Sequence, residues 1–183
     1  FSKQGLPPEL FRLATGEWNN DVALTKQGVQ MRAVTTRVSS ISLGHTIGGD
    51  FDIYARYTAF QGAAEGGGAR LMTRMQSPAL HEVIGGRKHM IHSKVLEENM
   101  AFLWHGFYNA GVYSYEYDKG QNIEETAGTV RLSRRGDTIH ILTAEEGSDH
   151  FRFHMKQKAG TEDLSAGGIQ LQCEMPGASV VWT

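Results

Sequence analysis

Aromatic residues are concentrated in one short stretch of this sequence. The chain has three Trp, six Tyr and eight Phe, and those between positions 102 and 117 are Phe102, Trp104, Phe107, Tyr108, Tyr113, Tyr115 and Tyr117. Tyr113, Tyr115 and Tyr117 alternate, so a β-strand would place all three on one face. Such rings combine an apolar body with a polar tip, which suits stacking on a sugar and bonding to its hydroxyl groups. The stretch therefore predicts a carbohydrate-binding site.

The predicted carbohydrate-binding residues are Trp104, Tyr113, Tyr115 and Tyr117, with His92 and Arg56 as polar neighbours. The competing interpretation is structural and the commoner one for aromatic residues. They are enriched in strands and form cross-strand pairs, so the same rings could fill a core. Only the direction in which the rings point distinguishes the binding interpretation from the structural one.

Carboxylates offer a second kind of chemistry. Glu116 with Asp118 or Glu124 are the candidates for the acid and nucleophile of a glycoside hydrolase. That reaction needs two carboxyl groups about 5 to 9.5 Å apart across a cleft. Asp50, Asp118 and the acidic turn 145–149 also carry the oxygen ligands that calcium takes. Solvated acidic turns explain these residues without a metal, so we expect no catalytic residues and no cofactor, with calcium as the alternative.

Histidines and a tripeptide motif suggest two other functions, metal binding and cell adhesion. The residues favour neither of them. A strand puts His89 and His92 on opposite faces, so they do not form a natural chelate, and zinc would need further ligands at a suitable spacing. The segment Arg135-Gly136-Asp137 has the sequence of a cell-adhesion ligand. A tight hairpin turn in which glycine supplies a positive φ explains it fully.

Alternating hydrophobic residues from 128 to 155 predict three antiparallel strands with one buried face. The residues expected on that face are Val130, Leu132, Ile139, Ile141, Phe151, Phe153 and Met155. Further strands are predicted at 28–38, 51–60, 69–76, 111–117, 168–174 and 179–182. Cys173 alternates in phase with Ile169 and Leu171 and should behave as a small core hydrophobe.

Two segments are harder to assign. Gly85-Gly86 separates 81–84 from 88–94 and predicts a hairpin there. Within 94–103, Glu97 and Glu98 favour a helix whereas Phe102 favours a strand, and both remain open. The total, on the order of a dozen short strands, is typical of an all-β sandwich or barrel.

Length and charge narrow the classes of protein. The 183 residues fit one domain, 1–183, and the formal net charge of −2 gives no electrostatic reason to expect a nucleic-acid partner. No apolar run approaches the roughly 20 residues that span a bilayer, so we expect no membrane insertion. The chain begins at Phe1, which is compatible with a removed leader or with excision from a longer protein.

Three structural motifs together resemble a known superfamily. They are the strand start Gly49-Asp50-Phe51-Asp52-Ile53, the hairpin from Val130 to Asp137, and the strand 167–171 followed by Val180-Val181-Trp182. Their order resembles the concanavalin A-like lectin/glucanase superfamily, and most of all an uncharacterised family of exported planctomycete domains. The resemblance implies an all-β jelly-roll sandwich of two antiparallel sheets, often with a glycan on the concave face. It also implies an extracellular or cell-envelope location.

Glucan-hydrolysing members of that superfamily carry a Glu-x-Asp-x-x-Glu set on one strand, and this chain has none. We therefore expect a non-catalytic carbohydrate-binding or accessory module of a secreted or surface protein, with a glycan and neighbouring domains as partners. The alternatives are a glucanase-like glycoside hydrolase and a structural or protein-interaction domain with no small ligand.

Overall fold

The computed structural model describes residues 10–15, 21–34, 38–62, 68–75, 81–92, 96–109, 112–118 and 125–183. Every regular element in these ranges is a β-strand. In chain order the strands are β1 (Phe11–Thr15), β2 (Val22–Thr25), β3 (Gly28–Arg32), β4 (Ser39–Leu43), β5 (Phe51–Gln61), β6 (Gly68–Met75), β7 (His81–His92), β8 (Leu96–Asn109), β9 (Val112–Asp118), β10 (Gly128–Arg135), β11 (Thr138–Glu145), β12 (Arg152–Lys158), β13 (Leu164–Glu174) and β14 (Ser179–Trp182).

Hydrogen bonding arranges the described strands into two sheets of seven. The first, sheet A, has the order β1-β4-β13-β6-β7-β8-β9, and the second, sheet B, has the order β12-β11-β10-β5-β14-β3-β2. Neighbouring strands run antiparallel in both. The predicted two-sheet antiparallel jelly-roll sandwich is confirmed.

The core lies between the sheets and follows the predicted alternation. Val130, Leu132 and Ile139 have no exposed surface, and Ile141 has 1%. Sheet A contributes residues such as Ile41 and Leu71 from the opposite side. Fully burying an aliphatic side chain contributes about 1.5 to 3 kcal/mol, so these inward positions supply most of the stabilisation.

Cys173 is buried as predicted, with no exposed surface and no disulfide partner. Burial raises the pKa of its thiol to about 12, because the surrounding core disfavours the charged thiolate. The thiolate is the reactive form of cysteine, so at neutral pH this residue is a packing element and not a nucleophile.

The structure corrects one strand assignment and decides another that the sequence left open. The expected hairpin at Gly85-Gly86 is wrong, because β7 runs unbroken from His81 to His92. Both glycines pair with β6 on one side and with β8 on the other, which leaves no room for a turn. The ambiguous segment 94–103 is a strand from residue 96 onward, as part of β8.

Phe153 was expected in the core, and this is also wrong: 53% of it is exposed. The pairing of β11 with β12 shifts register between Ile141 and Leu142, so that Leu142 lies opposite Phe153. A bulge of this kind reverses the faces on its far side, and Phe153 joins the outer surface. The side chain of Met155 is not among those that the structure describes.

The segment Arg135-Gly136-Asp137 forms the hairpin turn between β10 and β11, as predicted. Gly136 has a φ of 58°, in the left-handed region that favours glycine. Its N–H donates to Asp50 Oδ1 at 2.8 Å, and Asp137 Oδ2 lies 3.4 Å from Lys158 Nζ. The turn and its internal contacts account for the tripeptide.

Candidate carbohydrate-binding surface

The predicted aromatic site lies mostly on adjacent strands of sheet A. His92 ends β7, Trp104 is in β8, and Tyr113, Tyr115 and Tyr117 are in β9. The backbone register sets Trp104 opposite Tyr117 and Gly106 opposite Tyr115. The side chains of these five predicted residues lie outside the described ones, so this part of the site stays a prediction.

Arg56 belongs to the other sheet. It lies in β5, is exposed, and sits opposite Thr129 of β10. Its neighbours Ala55 and Tyr57 are buried in the core between the sheets. Because side chains alternate along a strand, Arg56 faces away from sheet A, and the fold does not bring it together with the sheet A aromatics.

The candidate carboxylates can be placed only in part. Glu116 and Asp118 lie in β9, opposite His105 and Leu103, but their side chains are not described, and Glu124 lies outside the described residues. Among the side chains that are described, no three that could share a metal ion come together. The hydrolase and calcium alternatives therefore stay predictions.

A row of four side chains crosses the outer face of sheet B. Tyr54 lies opposite Arg131, Arg131 opposite Leu142, and Leu142 opposite Phe153, on the adjacent strands β5, β10, β11 and β12. The residues that flank Tyr54, Arg131 and Leu142 include core members such as Leu132. Alternation therefore turns the row toward solvent, and we name it the sheet B row.

The two ends of the sheet B row are aromatic and open to solvent. Tyr54 and Phe153 each expose 53% of their surface, although Phe is among the residue types most often fully buried. Neighbouring strands lie about 4.8 Å apart, so three strand spacings separate the two rings by roughly 14 Å. The row thus offers two apolar platforms on either side of a charged centre.

The charged centre is held in place by its neighbours. Arg131 donates from Nε and Nη2 to Asp52 Oδ1 at 2.9 and 2.7 Å. Its guanidinium carbon lies 5.1 Å from the ring centroid of Tyr54 and 5.5 Å from that of Phe151. The same two rings meet edge to face with centroids 5.7 Å apart. These ion-pair, cation–π and ring contacts orient the side chains before any ligand arrives.

Asp52 is the acidic counterpart of this centre. Desolvation acts to raise the pKa of its carboxyl, but hydrogen bonds from Arg135, Arg131 and Ser133 outweigh desolvation and lower the pKa to about 2. Asp52 Oδ2 accepts from Arg135 Nη2 at 2.6 Å. The carboxylate is therefore ionised at neutral pH and bridges two arginines.

This depressed pKa predicts a pH-dependent contribution to stability. An Asp carboxyl with a pKa of 3.8 when unfolded and about 2 when folded stabilises the fold above about pH 4, and the contribution is lost as pH falls toward 2. We expect Asp52→Asn to lower the urea midpoint at neutral pH and to match the wild type near pH 2. Arg135→Gln keeps the Asp52 carboxyl but removes the charged donor beside it. This variant should therefore lose less stability than the wild type as the pH falls toward 2. A pH-independent difference between wild type and Asp52→Asn would contradict the assignment.

Sequence reasoning located only part of the sheet B row. The period-2 alternation of the sequence in β5 predicts that Asp52, Tyr54 and Arg56 share one face, and all three are exposed. Arg131 and Phe153 were missed because their place in the row depends on strand order and on the bulge in β11–β12. An outward-facing Tyr beside charged residues was the signal that could have drawn attention to β5.

Comparisons with known proteins point to one family and one fold. The family described as "Protein of unknown function (DUF1583) C domain" matches residues 1–183. A functionally unknown protein from Saccharomyces cerevisiae has a similar structure, with 14% identity and a TM-score of 0.63 over 90% of this chain and 89% of that one. No curated protein matches the sequence.

Two further similar structures are described by what they bind. The carbohydrate-binding module CBM66 from Bacillus subtilis is 17% identical, with a TM-score of 0.55 over 94% of this chain and 91% of that one. The VIP36 exoplasmic/lumenal domain, solved in a Ca2+/Man3GlcNAc-bound form, is 14% identical, with a TM-score of 0.57 over 97% and 86%. At these identities the likeness establishes the sandwich fold.

The residues that the structure describes include no helix that is long and apolar enough to cross a membrane.

Proposed function

The chain belongs to the DUF1583 C-domain family, and we propose that it is a non-catalytic carbohydrate-binding module of a larger secreted or surface protein. The observation that carries the proposal is the sheet B row, in which two half-exposed rings flank a fixed arginine–carboxylate pair. Two exposed rings on one face are informative because large apolar side chains grouped at a surface mark interaction sites, whereas singly scattered ones are normal.

The row has the chemistry that a sugar chain needs. The apolar faces of pyranose rings would stack on Tyr54 and Phe153. Sugar hydroxyl groups would bond to the charged centre between them, where Arg131 has five N–H donors and uses two of them on Asp52. Asp52 keeps acceptor capacity for hydroxyl donors, and Arg56 adds a cation on the same face, two residues from Tyr54.

The fold adds support of a general kind. Two structures with this sandwich are described as a carbohydrate-binding module and as a domain bound to Man3GlcNAc, so the scaffold is compatible with glycan recognition. A fold alone does not imply a function, and the weight of the proposal therefore rests on the sheet B row. The sheet A set of Trp104, Tyr113, Tyr115, Tyr117 and His92 is the second candidate surface for the same function.

A binding experiment separates these surfaces. The purified chain would be titrated against a panel of soluble polysaccharides and a glycan array. Truncation of a well-placed interface aromatic commonly costs more than about 1 kcal/mol, so we expect the double variant Tyr54→Ala with Phe153→Ala to bind at least tenfold more weakly. Val34→Ala, which removes an exposed apolar side chain outside the row, is the matched control and should bind like the wild type.

Each other outcome has a defined meaning. Loss of binding only in a Trp104→Ala with Tyr115→Ala variant would move the site to sheet A and refute the role of the sheet B row. Release of reducing sugar by the wild type would favour the hydrolase alternative and point to Glu116, Asp118 or Glu124. Binding that disappears with EDTA would establish a calcium requirement, whereas we expect EDTA to have no effect. Failure to bind any glycan would refute the proposal in favour of a structural or protein-interaction domain.

A further inference from the structure

Basic side chains surround the sheet B row on the outer face of sheet B. Residues two apart on a strand share a face, so the outward positions on either side of the row belong to the same surface. On one side lies Arg56, and on the other Asp52 and Lys156 are in register through Ser133 and His140. The described basic residues of this face are Arg56, Arg131, Arg135, Lys156 and Lys158, and its described acidic residue is Asp52. The face is therefore positive, although the chain has a formal net charge of −2.

Arg131 and Arg135 keep a net positive charge although both are ion-paired. Arg131 Nη2 lies 2.7 Å from Asp52 Oδ1, and Arg135 Nη2 lies 2.6 Å from Asp52 Oδ2. One carboxylate therefore compensates two guanidinium groups. A guanidinium group matches the planar geometry of a carboxylate, and the side chain of Arg135 remains 47% exposed for such a contact.

Two further cations of this face have no acidic partner among the described residues. Arg56 and Lys156 are exposed, and the ion pairs in the described part of the chain include neither of them. Arg56 lies on β5 and Lys156 on β12, at diagonally opposite corners of the sheet B row. The strand spacing and the rise along a strand separate their backbones by roughly 20 Å. A ligand that meets both cations must therefore be extended, as a chain of several sugar units is.

Acidic side chains mark one boundary of the basic area. Glu145, Glu146 and Asp149 belong to the turn that joins β11 to β12. Along β12, Lys156 lies on the far side of Phe153 from this turn. Like charges would repel an anionic ligand from the turn, so the path from Arg56 to Lys156 across the sheet B row is favoured for such a ligand.

Asp52 distinguishes between two classes of polyanion. A nucleic-acid strand carries a phosphate on every nucleotide and is bound by a continuous positive groove. Here a fixed carboxylate lies between Arg131 and Arg135, where it would repel a phosphate but can accept hydrogen bonds from hydroxyl groups. An acidic sugar chain supplies both carboxylates and hydroxyl groups, and its rings can stack on Tyr54 and Phe153.

We propose that the sheet B row binds an acidic polysaccharide, whose sugar rings carry carboxylate groups, and that Arg56 and Lys156 select it over a neutral polysaccharide. This ligand class rests on the function proposed above and makes it more specific. Sugar rings stack on Tyr54 and Phe153, while carboxylates toward the two ends of the bound segment pair with Arg56 and Lys156. Because these charges are exposed, the selectivity weakens as salt screens them.

Matched pairs of polymers test the proposal. Polygalacturonate, polyguluronate and hyaluronan would each be compared by titration calorimetry with its carboxyl-reduced form, in which a CH2OH group replaces the carboxylate. At low ionic strength we expect at least one of the three to bind roughly tenfold more tightly than its reduced form, the gain from a hydrogen bond between charged groups. Sodium chloride at about 0.5 M should remove most of this difference, because the Debye length falls to roughly 4 Å.

Charge-removing variants locate the selectivity. The double variant Arg56→Gln with Lys156→Gln should bring the ratio of the two affinities, acidic polymer to reduced polymer, close to one. Arg12→Gln with Lys26→Gln is the matched control, because it removes one arginine and one lysine from exposed positions outside this face and should leave the ratio unchanged. All four positions are exposed, and thermal unfolding would verify that both variants fold. An unchanged ratio in the Arg56 and Lys156 variant would refute the role of these residues.

The remaining outcomes separate acidic selectivity from carbohydrate binding itself. Binding of neutral polysaccharides with no preference for the acidic polymers would overturn the acidic ligand class and leave carbohydrate binding intact. Binding of no polysaccharide, acidic or neutral, would refute both. Single-stranded oligothymidylate should bind much more weakly than the acidic polymer, and equal affinity would overturn the selection of a sugar over other polyanions.

Discussion

Arg134→Ala is expected to lower the free energy of unfolding by about 3 to 5 kcal/mol. Arg134 is a charged residue with only 1% of its surface exposed. Its Nε donates to Gly49 O at 2.6 Å and its Nη1 to Glu162 O at 2.5 Å. Its guanidinium carbon also lies 4.8 Å from the ring centroid of Phe51. Truncation would leave two carbonyls without this donor and a cavity at the end of the sandwich.

Chemical denaturation monitored by tryptophan fluorescence would measure the effect. Arg135→Ala is the matched control, because that neighbouring side chain is 47% exposed and its ion pair with Asp52 lies at the surface. A surface pair of this kind contributes little to stability, because water screens the two charges. Arg134→Met, which restores volume but not hydrogen bonds, should fall between the two variants. Equal losses for Arg134→Ala and Arg135→Ala would contradict the role of Arg134 in joining the segments that contain Gly49 and Glu162.

Gly28→Ala is expected to destabilise the fold by about 3 kcal/mol or more. Gly28 has a φ of +144°, a conformation that costs any other residue about 1 to 3 kcal/mol. A Cβ at this position would lie 2.0 Å from the backbone oxygen of Trp182. Because that oxygen belongs to the main chain at the end of β14, relief would require β3 and β14 to separate, and the hydrogen bonds between them would weaken.

Gly136→Ala provides the comparison that separates strain from collision. Gly136 also has a positive φ, of 58°, but nothing lies within 4 Å of the place where its Cβ would be. Only the left-handed conformation then opposes the substitution, at about 1 to 2 kcal/mol. Thermal and denaturant unfolding of both variants should therefore rank Gly28→Ala well below Gly136→Ala. Similar losses would show that the contact with Trp182 O is relieved at little cost.

Strand positions and the core were predictable where one face of a strand is buried. The alternation in β10 and β11 identified Leu132 and Ile139 as inward, because the side-chain period of a strand is two residues. Cys173 was placed in the core by the same reasoning. Gly136 was correctly predicted to lie in a turn, because the alternating residues of β10 end just before it and those of β11 begin just after it.

The same rules failed where neighbouring strands decide the outcome. Gly85-Gly86 has the composition of a turn, yet pairing with β6 and β8 holds both glycines inside a strand. Phe153 followed the predicted period, but the bulge between β11 and β12 turned it outward. Arg134 continues the inward-facing alternation of Val130 and Leu132 and is buried with them. The sequence prediction did not assign it to the core, because charged residues are rarely buried.

Local alternation in the sequence was enough to establish an all-β chain, most of its strands and the inward face of several of them. That information is local because it depends only on the two-residue period of an extended backbone. The sheet B row depends instead on which strands become neighbours and in which register. Asp52 and Arg131 are 79 residues apart in sequence, and long-range antiparallel pairing makes them partners. The tertiary structure alone could therefore place the sheet B row.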